Sequence, residues 1–259
     1  MGDFFNFCEE MGDKVEEAIR DLVDTPAGWE SVSMGADGTP TRRLDRVAED
    51  CILESLVAER PYKTLISEEV GRFEIGGEKG TLFLDPVDGT YNAAHGIPFY
   101  ALSIALAEEG VVKKGYVRDL GHADTFTASR GEGAFLNGRP IRVSSIRSLE
   151  ESAMSIYGKK FDPGHLLHLG QKIRRWRQLG ASALELAYVG SGRIDGFIDL
   201  RRTLRVTDAA AGMLICEEAG GSVSDLEGRP LVFPDEVTIG RPLIATNGHL
   251  QAKVIEYLR

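Results

Sequence analysis

Leu82-Phe83-Leu84-Asp85-Pro86-Val87-Asp88-Gly89-Thr90-Tyr91-Asn92 is an apolar strand that delivers two carboxylates into a turn. Pro86 lacks a backbone donor, so the reading ends the strand at Asp85 and lets the chain leave the sheet there. Asp88, Gly89 and Thr90 then read as the first turn of a helix, where unpaired N–H groups favour an anionic ligand. Hard carboxylate oxygens beside an anion cradle suit magnesium and a phosphate ester. The run taken alone also suits a simpler account, in which Asp88 caps a helix and Asp85 is a solvated strand end.

Two further acidic segments supply what a metal site at that turn would need. Thr64-Leu65-Ile66-Ser67-Glu68-Glu69 reads as a short buried strand ending in paired carboxylates, followed by the breaker Gly71. Arg205-Val206-Thr207-Asp208 precedes the apolar, helix-forming run Ala209 to Cys216, whose first turn would hold Asp208, with Thr207 as an ordinary cap. Each segment has a bland reading, and their conjunction carries the chemistry.

Ser67-Glu68-Glu69, Asp85 to Asn92, and Thr207 to Gly212 with Glu218-Ala219-Gly220-Gly221 resemble, in order and spacing, the signatures of the inositol monophosphatase superfamily. The similarity covers nearly the whole chain. Met34 to Thr41 and Arg177 to Glu185 are most similar to the archaeal-type fructose-1,6-bisphosphatase/inositol monophosphatase enzymes. One residue departs from the pattern: Thr207 stands where the family often has Trp, which changes a packing residue and leaves Asp208 in place.

The resemblance implies a layered αβαβα sandwich, where periodicity alone would give only a mixed α/β class. It implies that Glu68, Asp85 and the Val87 carbonyl hold one Mg2+ and that Asp85, Asp88 and Asp208 hold a second. Mn2+ would be able to substitute, and a third, weaker ion would sit near Glu68. Paired cations about 4 Å apart clamp the attacking and leaving oxygens of a displacement and acidify water. Glu68 and Thr90 match the positions that orient this water, and the N–H groups of Gly89 and Thr90 those that bind phosphate. Asp45 resembles an Asp behind the site, and the Gly180-Ala181-Ser182 segment a loop that touches the sugar or polyol. A homodimer is also implied.

Arg177, Arg201 and Arg202 are candidates to hold the distal phosphate of a bisphosphate, which gains from guanidinium pairing; equally, each would pair with one of the 40 acidic residues. Gly28 to Thr41, rich in glycine and small polar residues, reads as a mobile loop. Within it Asp37 is either a turn-forming Asp before Gly38 or a residue that approaches a weakly bound ion.

Composition bounds the same answer. The chain has 259 residues, 42% of them hydrophobic, enough for one large domain or two fused subdomains. A formal net charge of −10 argues against nucleic acid as a partner. No signal-peptide pattern and no apolar run of about 18 residues is present, so the reading is cytoplasmic, without a membrane partner. The three cysteines, Cys8, Cys51 and Cys216, lack C-x-x-C spacing and read as reduced packing residues.

Helices are expected from about Asp3 to Val23 and Arg43 to Arg60, then strands at Ala101 to Ala107, Val111 to Val117 and Asp124 to Ala128, with Asn137-Gly138 as a turn. Beyond Ser144 the rhythm becomes alternating strands and helices. Two subdomains follow, 1–143 with the metal-binding strand ends and 144–259 completing the site. The expected function is Mg2+-dependent hydrolysis of fructose 1,6-bisphosphate and inositol 1-phosphate, in carbohydrate metabolism. Two alternatives stand beside it: a phosphatase of the same superfamily acting on an adenosine bisphosphate or NADP, and a non-catalytic metal- or phosphate-binding regulator.

Overall fold

A computed structural model describes residues 4–158 and 164–258. The chain opens with α1 (Phe4–Ile19), whose Phe4, Cys8, Met11, Val15 and Ile19 recur at helical spacing and are all buried. A hairpin, β1 (Ser31–Met34) and β2 (Pro40–Arg42), runs directly into α2 (Arg43–Glu59). Next come β3 (Tyr62–Ser67), β4 (Gly71–Glu74), β5 (Lys79–Asp88) and the short α3 (Thr90–Ala94). A meander follows: β6 (Ala101–Glu108), β7 (Val111–Asp119), β8 (Asp124–Ser129), β9 (Gly133–Leu136) and β10 (Arg139–Pro140). Asn137 and Gly138, both at positive φ, turn β9 into β10 as their pairing predicts.

The second half alternates as expected. It comprises β11 (Ala153–Tyr157), α4 (Gly164–Lys172), β12 (Arg175–Arg177), α5 (Ser182–Gly190) and β13 (Gly196–Leu204). Then follow α6 (Val206–Glu218), β14 (Ser222–Ser224), β15 (Arg241–Thr246) and α7 (Gln251–Leu258).

The strands form an eight-stranded sheet in the order β10-β9-β8-β7-β6-β5-β3-β4 and a five-stranded sheet in the order β12-β11-β13-β15-β14. The pleat decides the layers, because successive side chains point to opposite faces. In β5, Leu82 and Leu84 pack with α1 and α2, while Phe83 points the other way into a cluster with Ala210, Ala211 and Leu214 of α6. In β13, Phe197 meets Leu186 and Ala209 of α5 and α6, while Ile198 meets Leu169 and Val254 of α4 and α7. The layers are therefore α1/α2, the large sheet, α5/α6, the small sheet and α4/α7, an αβαβα sandwich. Residues from both halves of the chain share the central cluster, so α5 and α6 are the element pair that brings the second half onto the first.

Several boundaries differ from the sequence reading. Strand β5 does not end at Asp85; it continues to Asp88. The register to β6 shifts between Asp85 and Asp88, so the missing donor of Pro86 falls at a bulge. Asp88 is accordingly a strand residue, and the following helix begins only at Thr90, with Gly89 as its cap at φ +91°. Helix α1 stops at Ile19 rather than near Val23. Among the described residues no helix is long and apolar enough to cross a membrane. Burial pushes the Cys51 thiol up to about 11 and raises that of Cys216, consistent with unreactive packing residues.

Candidate active site

Three strand or helix ends deliver the acids to one cleft. Glu68 lies just past the end of β3, next to its parallel neighbour β5. The β5 bulge presents Asp85, held by a hydrogen bond from the Val87 N–H to its Oδ1 at 3.1 Å. Asp208 sits in the first turn of α6, its Oδ2 accepting the Arg205 N–H at 3.0 Å. Each of Glu68, Asp85 and Asp208 offers a carboxylate oxygen, and these oxygens lie within 4.8 Å of one another.

Asp88 takes a role the sequence did not suggest. It does not cap α3; its Oδ2 accepts the Ala183 N–H at 2.6 Å, at the start of α5. A carboxylate of the first half thus satisfies a helix-end donor of the second. The two halves also meet through Asn92, whose Nδ2 donates to the carbonyls of Phe99 and Leu179, each at 2.7 Å. A side chain at Gly89 would come within 3.0 Å of the Ala181 Cβ, so the Gly89 turn and the 180–182 loop need glycine to approach this closely.

Thr90 Oγ1 stands 2.8 Å from Asp45 Oδ1 and 3.1 Å from the Val87 carbonyl. Asp45, in the first turn of α2, is buried. Glu185 on α5 is buried behind the 180–182 loop. It accepts from the Ser155 and Tyr157 hydroxyls, and Tyr157 Oη in turn accepts the Gly180 N–H at 2.7 Å.

The cleft has a volume near 430 Å³, and Asp37, Glu68, Asp88, Asp208, Ser182, Arg201 and Arg202 are among the residues that line it. Arg201 is bound to Asp199 through both Nε and Nη2, and its guanidinium lies 4.3 Å from the centroid of the Tyr157 ring. Arg202, at φ +60° where β13 loses register with β15, faces the cleft without such a commitment. Arg177 stands apart: it is exposed on β12, and its Nη1 donates to the Trp176 carbonyl at 3.0 Å. Asp37 lies on the hairpin loop between β1 and β2, its Oδ1 accepting the Thr39 N–H at 2.8 Å as a turn-forming Asp does.

Electrostatics single out the same cluster. Burial holds Asp85 well above the usual carboxylate range, and Glu68, Asp88 and Asp208 push it further. Asp88 is raised by burial and then by Asp208. Glu68 rises to about 7, through burial first; Arg205 pulls it back, and Asp208 opposes that. A converging set of hard oxygen donors, three of which burial and then neighbouring negative charge hold back from ionising, fits a divalent cation.

One residue in the cleft had been given no role. Arg205, the N-cap of α6, forks onto Asp208 through Nε and Nη2, while its Nη1 donates to Glu68 Oε1 at 2.5 Å and to Asp37 Oδ2. Burial works against its charge, but Asp208, Glu68 and Asp85 more than offset this. The available signal was compositional: an arginine at a position where Ser, Thr, Asp or Asn is the usual cap.

The model of the inositol monophosphatase family matches residues 4–259. The fructose-1,6-bisphosphatase/inositol-1-monophosphatase of Methanothermobacter thermautotrophicus is 42% identical over 96% of this chain and 94% of its own. The bifunctional NADP phosphatase/NAD kinase of Methanococcus maripaludis is 33% identical over 98% of this chain and 49% of its own. A solved inositol monophosphatase-fructose 1,6-bisphosphatase superposes with a TM-score of 0.91 at 28% identity, covering 100% of both chains.

Proposed function

Because this chain belongs to the inositol monophosphatase family and is a phosphatase, we propose that it hydrolyses fructose 1,6-bisphosphate and inositol 1-phosphate with Mg2+ as its metal. The observation that carries this reading is the convergence of Glu68, Asp85 and Asp208 within 4.8 Å, beside a cleft that also holds Asp88 and Arg202.

Glu68, Asp85 and the Val87 carbonyl would hold one ion, and Asp85, Asp88 and Asp208 a second. Bound there, divalent cations supply charge that acidifies water and neutralises the phosphoryl and leaving oxygens. The chain's own groups do the positioning. The N–H groups of Gly89 and Thr90 would bind a phosphate as individual donors; α3, five residues long, contributes little helix dipole. With the Thr90 proton directed at Asp45, the lone pairs of Thr90 Oγ1 are available to accept from the attacking water and aim it together with Glu68. Ala181 and Ser182 would touch the sugar or polyol, and Arg202 a second phosphate.

A phosphate-release assay on fructose 1,6-bisphosphate, inositol 1-phosphate, NADP and an adenosine bisphosphate tests the proposal. The kcat/KM should be highest for the first two. The similarity to a relative named as an NADP phosphatase supports a second reading, and a kcat/KM highest for NADP would select it.

A further inference from the structure

Arg205 stands among the carboxylates of the cleft and bonds to three of them, Asp37, Glu68 and Asp208. Its Nη1 is shared between Glu68 Oε1 and Asp37 Oδ2, which come from two different loops. Its Nε and Nη2 grip Asp208, with Nη2 2.9 Å from Oδ1, while its own backbone N–H donates to the same carboxylate. Residue and partner are thus locked by the first turn of α6, and the guanidinium is pre-positioned rather than free to swing.

Resting on the reading of this cluster as a metal site, we infer that Arg205 is a built-in third cation. It fills the position between Asp37 and Glu68, so that the protein binds two divalent ions and not three. The charge count supports it. Five carboxylates, Asp37, Glu68, Asp85, Asp88 and Asp208, ring the cleft. When ionised they carry five negative charges; Arg205, bonded to three of them, balances one and two divalent ions the rest, while Arg201 is paired with Asp199 and Arg202 is left for the charge of a substrate phosphate.

A further ion between Asp37 and Glu68 would have to displace Nη1 and leave the arginine's charge short of partners in a largely buried setting. A weakly held ion lacks the affinity to do so against a tethered competitor. The same contact also gives Asp37 a job without a metal. It ties the β1–β2 loop over the cleft through Arg205, while the loop's other edge is fixed by the Ala36 N–H donating to the Glu69 carbonyl at 3.0 Å.

Counting bound Mn2+ by electron paramagnetic resonance up to millimolar metal tests the inference on the whole chain. Wild type should take up two ions. Arg205→Met should take up a third, and Arg205→Met combined with Asp37→Asn should lose it again. Asp37→Asn alone should leave both the count and the affinities within about twofold, because a residue bound to an arginine is not a ligand; this arm stands even where Arg205→Met fails to fold. A wild-type count of three, a folded Arg205→Met that still binds two, or an Asp37→Asn that loses an ion overturns the inference. A wild type that binds no divalent ion overturns instead the reading of the carboxylate cluster on which it rests.

Discussion

Thr90 at the start of α3 and Asp45 in the first turn of α2, 45 positions apart in sequence, are joined by a 2.8 Å hydrogen bond from the Thr90 hydroxyl to Asp45 Oδ1. The bond directs the Thr90 proton toward Asp45 and leaves lone pairs of Oγ1 free to accept. In the proposed reaction Asp45 would therefore act by positioning Thr90. Burial, then the nearby Glu68, raises its carboxyl well above the usual range, so the pair is sensitive to what neutralises the cluster.

Thr90→Ala and Asp45→Asn are each expected to lower kcat by roughly 10²- to 10³-fold with little change in metal affinity. As the two act as one unit, the double variant should fall little below the worse single variant. Steady-state kinetics on the three variants checks this. Losses that multiply would show that Asp45 works independently of Thr90, and a change confined to KM would return Thr90 to a simple helix-start residue.

Asp85→Asn and Asp88→Asn should reduce turnover by orders of magnitude while leaving the fold intact, and Glu68→Gln and Asp208→Asn should behave similarly. In the absence of metal, Asp85→Asn should melt at the same temperature as wild type or higher, because it removes a buried carboxyl repelled by Glu68, Asp88 and Asp208. Addition of Mg2+ should then stabilise wild type far more than the variant. Thermal melts with and without Mg2+ decide it: a metal-free Asp85→Asn much less stable than wild type would mean that the carboxylate has a structural partner.

Stability should fall with rising pH in the metal-free protein. Glu68 and Glu185 are both raised from an ordinary value near 4.5 to about 7, chiefly by burial. A raised carboxyl binds its proton more tightly folded than unfolded, so its contribution is complete below about pH 4.5 and is lost as pH rises through about 7. Saturating Mg2+ should flatten the part due to Glu68, and Glu185→Gln a further part that Mg2+ leaves in place, since Glu185 lies behind the loop and outside the carboxylate cluster; the buried Asp45, Glu49 and Asp119 and the half-buried Glu69, also raised, contribute to the rest. A melting temperature that climbs from about pH 5 to about pH 7.5 without metal would contradict the assignment.

Of the three arginines proposed for a second phosphate, Arg202 should matter most. Arg202→Ala is expected to lower kcat/KM for fructose 1,6-bisphosphate by roughly tenfold to hundredfold relative to inositol 1-phosphate, the worth of a charge-assisted contact. Arg177→Ala, on an exposed strand edge, should change both esters by less than about twofold. Arg201→Ala should affect both, because Arg201 is bound to Asp199 and lies against Tyr157, whose hydroxyl supports Gly180. Equal effects of Arg202→Ala on both esters would place the distal phosphate elsewhere.

The amino-acid sequence by itself determined the local form of the acid-bearing segments and the chemistry that their residues can carry. The unbroken apolar run Leu82 to Leu84 marked β5 as a buried strand, and the acids at Glu68, Asp85, Asp88 and Asp208 lay in motifs whose local patterns mark strand ends and a helix start. These features are local, fixed by pleat, period and turn chemistry over a few residues. Only the tertiary structure decided where each polar group finds its partner. That Pro86 sits in a bulge with the strand continuing through it depends on β6. That Asp88 serves the N-terminus of α5 and not its own helix depends on how the two halves stack. That Arg205 reaches Asp37 and Glu68 while Arg177 stays outside the cleft depends on three loops converging. A hydrogen bond between groups 95 positions apart, as from Ala183 to Asp88, leaves no periodic trace in the sequence. Its geometry is set by the packing of α5 and α6 between the two sheets, a property of the assembled core.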